Sequence, residues 1–118
     1  MAKKNTKIIY DEEEDILTLN KSRSVKASID IGDFIIDVDN KGYVSGIEVL
    51  NASKNLNINK KYLKNLDKAT LTANYKPKYV YLLLTLILKN KEKDIAIPLS
   101  VDLGHEKIST QKTSFAAA

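Results

Sequence analysis

Any chemistry in this 118-residue chain has to come from carboxylates, lysines and tyrosines, because it carries one histidine and no cysteine. His105 follows Gly104 and has only Glu106 as a neighbouring acid, so neither a catalytic triad nor a multi-histidine zinc site can be assembled within one chain. The lack of cysteine removes thiolate ligands, cysteine nucleophiles and disulfides, and is most simply read as an intracellular, cytoplasmic setting. Gly32, Gly42, Gly46 and Gly104 are scattered, which excludes a glycine-rich phosphate loop. Among the acids, Asp37-x-Asp39-x-x-Gly42 copies the start of a calcium loop whose bidentate ligand would be Glu48. The residues in between, 43–47, read as strand rather than loop, so Asp37 and Asp39 are expected to satisfy amides in a hairpin turn instead. Asp11, Asp15 and Glu48 could join them around magnesium for hydrolysis only if the fold brings all five together.

Glu48 stands between Ile47 and Val49 and alternates with Val44, Gly46 and Leu50. Its face is therefore largely apolar, and a buried carboxylate there needs hydrogen bonds or a lysine. Asp37, Asp39 and Glu48 are read as structural carboxylates. No catalytic residue, metal or cofactor is expected, and the chain is read as a non-enzyme.

The lysines offer a different chemistry. The net charge of +4 divides into −3 over residues 1–50 and +7 over residues 51–118, an asymmetry suited to head-to-tail self-association, to a polyanion, or simply to solubility. Lys54, Lys60, Lys61, Lys64, Lys68, Lys76 and Lys78, interleaved with Tyr62, Tyr75 and Tyr79, could neutralise phosphates while the aromatic rings stack on bases. With 18 lysines to the single Arg23, bidentate reading of a specific DNA sequence is disfavoured.

The elements that must position these groups are mostly strands. Residues 7–10 and 15–19 are β-branched and apolar on either side of the acidic turn 11–14. Val25, Ala27, Ile29 and Ile31 alternate with polar residues, Gly32-Asp33 breaks or bulges the run, and residues 34–38 and 43–50 form a hairpin about Asp39-Asn40-Lys41-Gly42. Residues 21–24 are expected to be a loop. Asn59 is a plausible N-cap for a short helix over residues 60–66, with Tyr62, Leu63 and Leu66 on one face. Residues 68–75 read as a strand, and Pro77 falls in a connection.

Residues 79–88 are apolar on both faces if extended, with Val80, Leu82, Leu84, Leu86 and Leu88 on one and Tyr79, Tyr81, Leu83 and Ile87 on the other. A second copy covering Tyr79, Tyr81, Leu83 and Ile87 is the expected reason. After a turn at residues 89–94, Pro98 marks the last strand as an edge. The apolar run is about half the length of a membrane-spanning helix, so no membrane segment is expected; nor is residues 1–5 a secretory signal.

The motifs Tyr10-Asp11, Asp15-Ile16-Leu17-Thr18-Leu19 and Phe34 to Ser53, above all Gly46-Ile47-Glu48-Val49-Leu50-Asn51-Ala52-Ser53, resemble a prokaryotic family of small proteins known as a domain of unknown function. The resemblance covers residues 8–53 and implies a compact β-meander followed by a short helix. Some members are encoded beside toxin-like proteins, which implies an antitoxin-like role with a toxin-like partner in bacteria or archaea. Thr18 stands where the family has Tyr, and the hairpin from residue 68 to 101 lengthens the usual domain.

The fold expected is mainly β, a β-rich α+β domain over residues 1–103: an antiparallel meander, one short helix and a C-terminal apolar hairpin, with 54–103 added to the family-like part. Residues 104–118 are expected to be a polar tail docking only through Phe115. The function expected is a self-associating, non-enzymatic module engaging a toxin-like protein; the alternatives are a sequence-tolerant RNA- or DNA-associated protein and, third, a carboxylate metal-dependent hydrolase.

Overall fold

The structure is a computed structural model that describes residues 7–20, 27–76, 79–88, 91–99 and 109–117. The expected loop at 21–24, Arg23, Pro77, Lys78 and His105 lie outside them. Five strands come first: β1 (Lys7–Asp11), β2 (Ile16–Asn20), β3 (Ala27–Ile31), β4 (Phe34–Val38) and β5 (Val44–Val49). Two helical segments follow, α1 (Ala52–Leu56) and α2 (Lys60–Leu63), and then β6 (Lys68–Tyr75), β7 (Val80–Leu88), β8 (Lys91–Leu99) and β9 (Ser109–Ala117). All nine strands join one sheet in the order β3-β4-β5-β2-β1-β9-β6-β7-β8. The protein is thus mainly antiparallel β with two short helices.

Local chemistry explains each turn of the first half. In the acidic β1–β2 turn the Asp11 carboxylate accepts from the Glu14 amide at 3.0 Å, and the four acids stay in solvent. Gly32-Asp33 makes a two-residue turn with Gly32 at φ 58°, a left-handed angle that glycine adopts without penalty. The bulge lies elsewhere: Asp37 pairs with Gly46 but Val38 with Val44, leaving Ser45 as the extra residue. Between them Asp39 organises the β4–β5 turn, its carboxylate accepting from the Lys41 and Tyr43 amides at 2.9 and 3.0 Å. Strands β2 and β5 approach closely at Gly46, since a Cβ there would stand 2.5 Å from the Leu19 carbonyl oxygen.

Every strand of the second half turns one face inward. Val80, Leu82, Leu84 and Leu86 of β7 are buried against Ala69, Leu71, Ala73 and Tyr75 of β6, and join Leu17, Leu19, Ile36 and Ile47 of the meander in one core. The helical segment contributes Ala52, Leu56, Ile58, Leu63 and Leu66 to the same core. Two helical turns form where one was expected, because Asn51 and Asn57 take left-handed angles that bracket α1. Asn59 caps α2, accepting from the Lys61 amide at 3.0 Å. Tyr62 does not share the buried face of Leu63 and Leu66; it is 55% exposed.

Two expectations about the C-terminal part change. Strand β8 resumes at Lys91, so the connection from β7 is much tighter than residues 89–94. Residues 109–117 are no tail: β9 pairs along its length with β6 and, in parallel, with β1 at Lys7 and Ile8. Its mixed, Ser/Thr-rich composition hides a period-two strand, in which Thr113 and Phe115 take the inward positions and Thr110, Lys112 and Ser114 the outward ones. Phe115 is completely buried, and β8 lies at the sheet's edge, where Pro98 costs no ladder bond on the open side.

Among the described residues the two halves of the sheet meet through two β1–β9 residue pairs, and side chains reinforce the join. Tyr75 supplies the main one, its hydroxyl accepting from the Val44 amide at 2.8 Å while its ring meets Tyr43 edge-on at 5.4 Å. Burial, assisted by the Asp39 carboxylate, pushes the Tyr75 phenol up to about 12 against the opposing pull of the Val44 amide. The neutral phenol is therefore the folded form, and the stability it lends is complete below the ordinary tyrosine range near pH ~10 and lost as pH rises through about 12.

Two substitutions test this frame. Gly46→Ala is expected to lower unfolding free energy by about 1–3 kcal/mol, because a methyl group meets backbone that cannot retreat without breaking the β2–β5 ladder. Tyr75→Phe strands the buried Val44 amide and is expected to cost about 1–3 kcal/mol. Urea melts at pH 7 and pH 11 check both, with Tyr75→Phe losing less stability than the parent between those two pH values.

Candidate functional site

Three places bear chemistry-capable side chains: the junction between the first turn and α1, the lysines of the helical segment, and the outer face of the C-terminal strands. The junction is built on Asp15, held at φ 58° at the end of the acidic turn. Its carboxylate accepts from the Tyr10 hydroxyl at 2.6 Å, the Ser53 hydroxyl at 2.7 Å and the Ser53 amide at 3.0 Å. Its carbonyl accepts from the Ala52 amide at 2.9 Å. One acid residue thus satisfies two of the free amides at the start of α1 and fastens them to β1 and β2.

Electrostatics decide what this cluster can do. Desolvation pushes the Asp15 carboxyl up, but the hydrogen bonds from Tyr10 and Ser53, aided by nearby Lys60, outweigh it and hold it below the usual carboxylate range. Burial and the same Asp15 bond drive the Tyr10 phenol well above its usual value. A carboxylate so stabilised is a weak base, so Ser53 is not activated as a nucleophile. Ser53 borders a shallow depression of about 480 Å³ lined also by Lys54, Asn57, Ile58, Asn59 and Lys60. Three of its polar side chains have partners: Ser53 donates to Asp15, the Lys60 ammonium donates to the Glu12 carbonyl at 3.3 Å, and Asn59 accepts from the Lys61 amide.

The other acids are dispersed. Asp39 binds turn amides as expected, whereas Asp37 turns to the outer face and accepts from the Ser28 hydroxyl at 2.8 Å. Glu48 shares that face between Thr18 and Ile35 and is half-buried, not enclosed among Val44 and Leu50. The bulge at Ser45 breaks the alternation, putting Val44 inward while Gly46 and Glu48 face out. Among the described residues no three acid or histidine side chains are grouped to hold a metal ion. Asp33 is a second local fastener, accepting from Asn55 and Asn51 side chains at 2.9 and 3.3 Å, and these bonds lower its pKa.

Of the lysine set, Lys54, Lys60, Lys61 and Lys64 lie exposed on and around the helices, with Lys64 in a 3.1 Å salt bridge to Glu12. Lys76 is half-buried at the end of β6, and Lys78 is outside the described residues. Tyr75 cannot stack on a base, because its ring is wholly buried in the core. Its place beside lysines in sequence concealed an inward strand position. The aromatic ring exposed near the helical lysines is Tyr62.

On the outer face of β7, Tyr79 is 44% and Tyr81 41% exposed, with Leu83 and Ile87 half-buried beside them. Among the described residues, the helices and the core cover the opposite face. Among the described residues no helix is long and apolar enough to cross a membrane.

Residues 7–53 match the model of a protein family described as a protein of unknown function (DUF2283). The chain is 38% identical over 91 residues to an uncharacterized protein of Methanocaldococcus jannaschii, MJ0789, an alignment that spans 75% of this chain and 78% of the relative. No solved structure matches significantly. The matched segment begins with β1 and ends at Ser53, so it encloses every group of the Asp15 junction.

Asp15→Ala is expected to destabilise the fold by about 2–3 kcal/mol, since three donors lose a charged acceptor. Because the folded Asp15 pKa is depressed, its stabilisation is complete above the ordinary carboxylate range near pH ~4 and is lost as pH falls below it. Equilibrium melts from pH 7 to pH 2 should show this acid loss in the parent and less of it in Asp15→Asn.

Proposed function

The chain belongs to the family of proteins of unknown function matched by its residues 7–53, and we propose that it acts there as a non-enzymatic binding module that associates with itself and engages a protein partner. The observation that carries this reading is the outward face of β7 and the residue before it, where Tyr79 and Tyr81 are exposed and Leu83 and Ile87 are half-buried. Isolated exposed apolar residues are ordinary, but two exposed tyrosines in line with Leu83 and, beyond Thr85, Ile87 suit an interaction surface. Tyrosine suits it, because it offers a large rigid area at little entropic cost and keeps a polar tip. The partner reading follows from the resemblance to a family of unknown function, some members of which are encoded beside toxin-like proteins, and the dispersed carboxylates support a role without catalysis.

A second reading is favoured by Tyr62, exposed beside Lys54, Lys60 and Lys61: loose, sequence-tolerant contact with RNA or DNA. It is weakened by Glu12, which draws both Lys60 and Lys64 toward protein atoms. Labelled RNA or DNA whose mobility is unchanged by micromolar protein at low salt removes it.

Sedimentation velocity over a concentration series tests the first reading. The expected result is a shift from monomer to a larger species at micromolar protein, lost in Tyr81→Glu while the circular dichroism spectrum is retained. A monomer at every concentration contradicts it.

A further inference from the structure

The outward positions of the C-terminal strands form rows that can be read from the pairing register. Glu92, Ile87 and Lys68 stand in one row across β8, β7 and β6. Asp94, Thr85, Thr70 and Ser114 occupy the next, extending onto β9, followed by Leu83, Thr72 and Lys112, and then Tyr81, Asn74 and Thr110. Glu92 and Asp94 are exposed on the β8 side of β7, and Lys68 and Lys112 on its β6–β9 side. The apolar row of β7 therefore runs between an acidic flank and a basic one.

We propose that the occupant of this face is a second copy of the same chain, packed face to face about a two-fold axis that runs along β7; this rests on the self-association reading above. Rotation about that axis leaves position along the strand unchanged and exchanges the flanks. Glu92 of one copy then lies over Lys68 of the other, and Lys68 over Glu92, because both share the row of Ile87. Tyr81, Leu83 and Ile87 meet their own counterparts in the middle, as an isologous interface requires. An axis across the strands would instead lay acidic β8 over acidic β8. The lengthwise arrangement also keeps the strands of the two sheets within about 30° of each other, the aligned packing that twisted sheets favour.

The size of the face is consistent with such a dimer. Four strands span about 19 Å and nine residues about 30 Å, so two faces cover on the order of 1,100 Å² together, at the lower bound of specific interfaces. The occupant is also specified by charge: an unrelated protein needs no acidic and basic flanks in mirror order, whereas a second copy provides them automatically. Within one chain Glu92 and Lys68 are two strands apart, about 10 Å, so they are free to pair across copies.

Two charge reversals give the test, because both residues are exposed and neither supports the core. In Glu92→Lys alone the dimer would set lysine against lysine twice, and in Lys68→Glu alone glutamate against glutamate twice. Each is expected to weaken self-association roughly tenfold or more. Mixing the two variants should restore a heterodimer, since every contact is then a lysine facing a glutamate. The double reversal in one chain should restore the homodimer. Sedimentation velocity of the separate variants, their equimolar mixture and the double variant reads this directly, with circular dichroism confirming the fold. Single reversals that associate like the parent, or a mixture that stays monomeric, overturn the geometry while leaving self-association intact. A parent protein that is itself monomeric overturns both.

Discussion

The Asp15 carboxylate is the interaction on which the rest of the architecture depends. It lies at the end of a four-acid turn that would otherwise be only a loop, and reaches across 38 residues of sequence to Ser53. Through Tyr10 it holds β1, through its own backbone it continues into β2, and through Ala52 and Ser53 it sets where α1 begins. The entry into the helical segment is thereby fixed, and with it the layer of Leu56, Leu63 and Leu66 that closes the core. Every member of this junction falls inside the family-matched segment, whose two ends lie at β1 and Ser53.

What was legible in the sequence divides along the range of the interactions. The strands of the meander, the Asp39 turn, the Asn59 cap and the edge position of β8 rest on neighbours a few residues apart, and periodicity with turn chemistry exposes such features. The Asp15 junction was invisible as a role because spacing carries no information about a contact between residues 15 and 53. Strand β9 was missed for a different reason. Its inward residues are mostly small or polar, so burial is imposed by its insertion between β1 and β6 and not announced by an apolar pattern. Tyr75 and Glu48 erred in opposite directions, one taken for a surface ring and found in the core, the other placed on an apolar face and found outward past a bulge.

The division of labour follows from this. The first half spends its polar chemistry on holding itself together: Asp15 and Asp39 on amides, Asp33 on asparagine side chains, Asp37 on a serine. The second half buries one face of a long sheet and leaves Tyr79 and Tyr81 uncovered on the other. The outward face of β7, flanked by opposite charges, is the surface on which the proposed self-association rests.

The most direct test is a dilution series followed residue by residue, with amide chemical shifts of uniformly labelled protein recorded from millimolar to low micromolar concentration. The account predicts concentration-dependent changes confined to the outward positions around Tyr81, Leu83 and Ile87, with the amides of Ala52 and Ser53 unmoved. Shifts that are independent of concentration, or that change at the Asp15 junction while β7 stays constant, would contradict it.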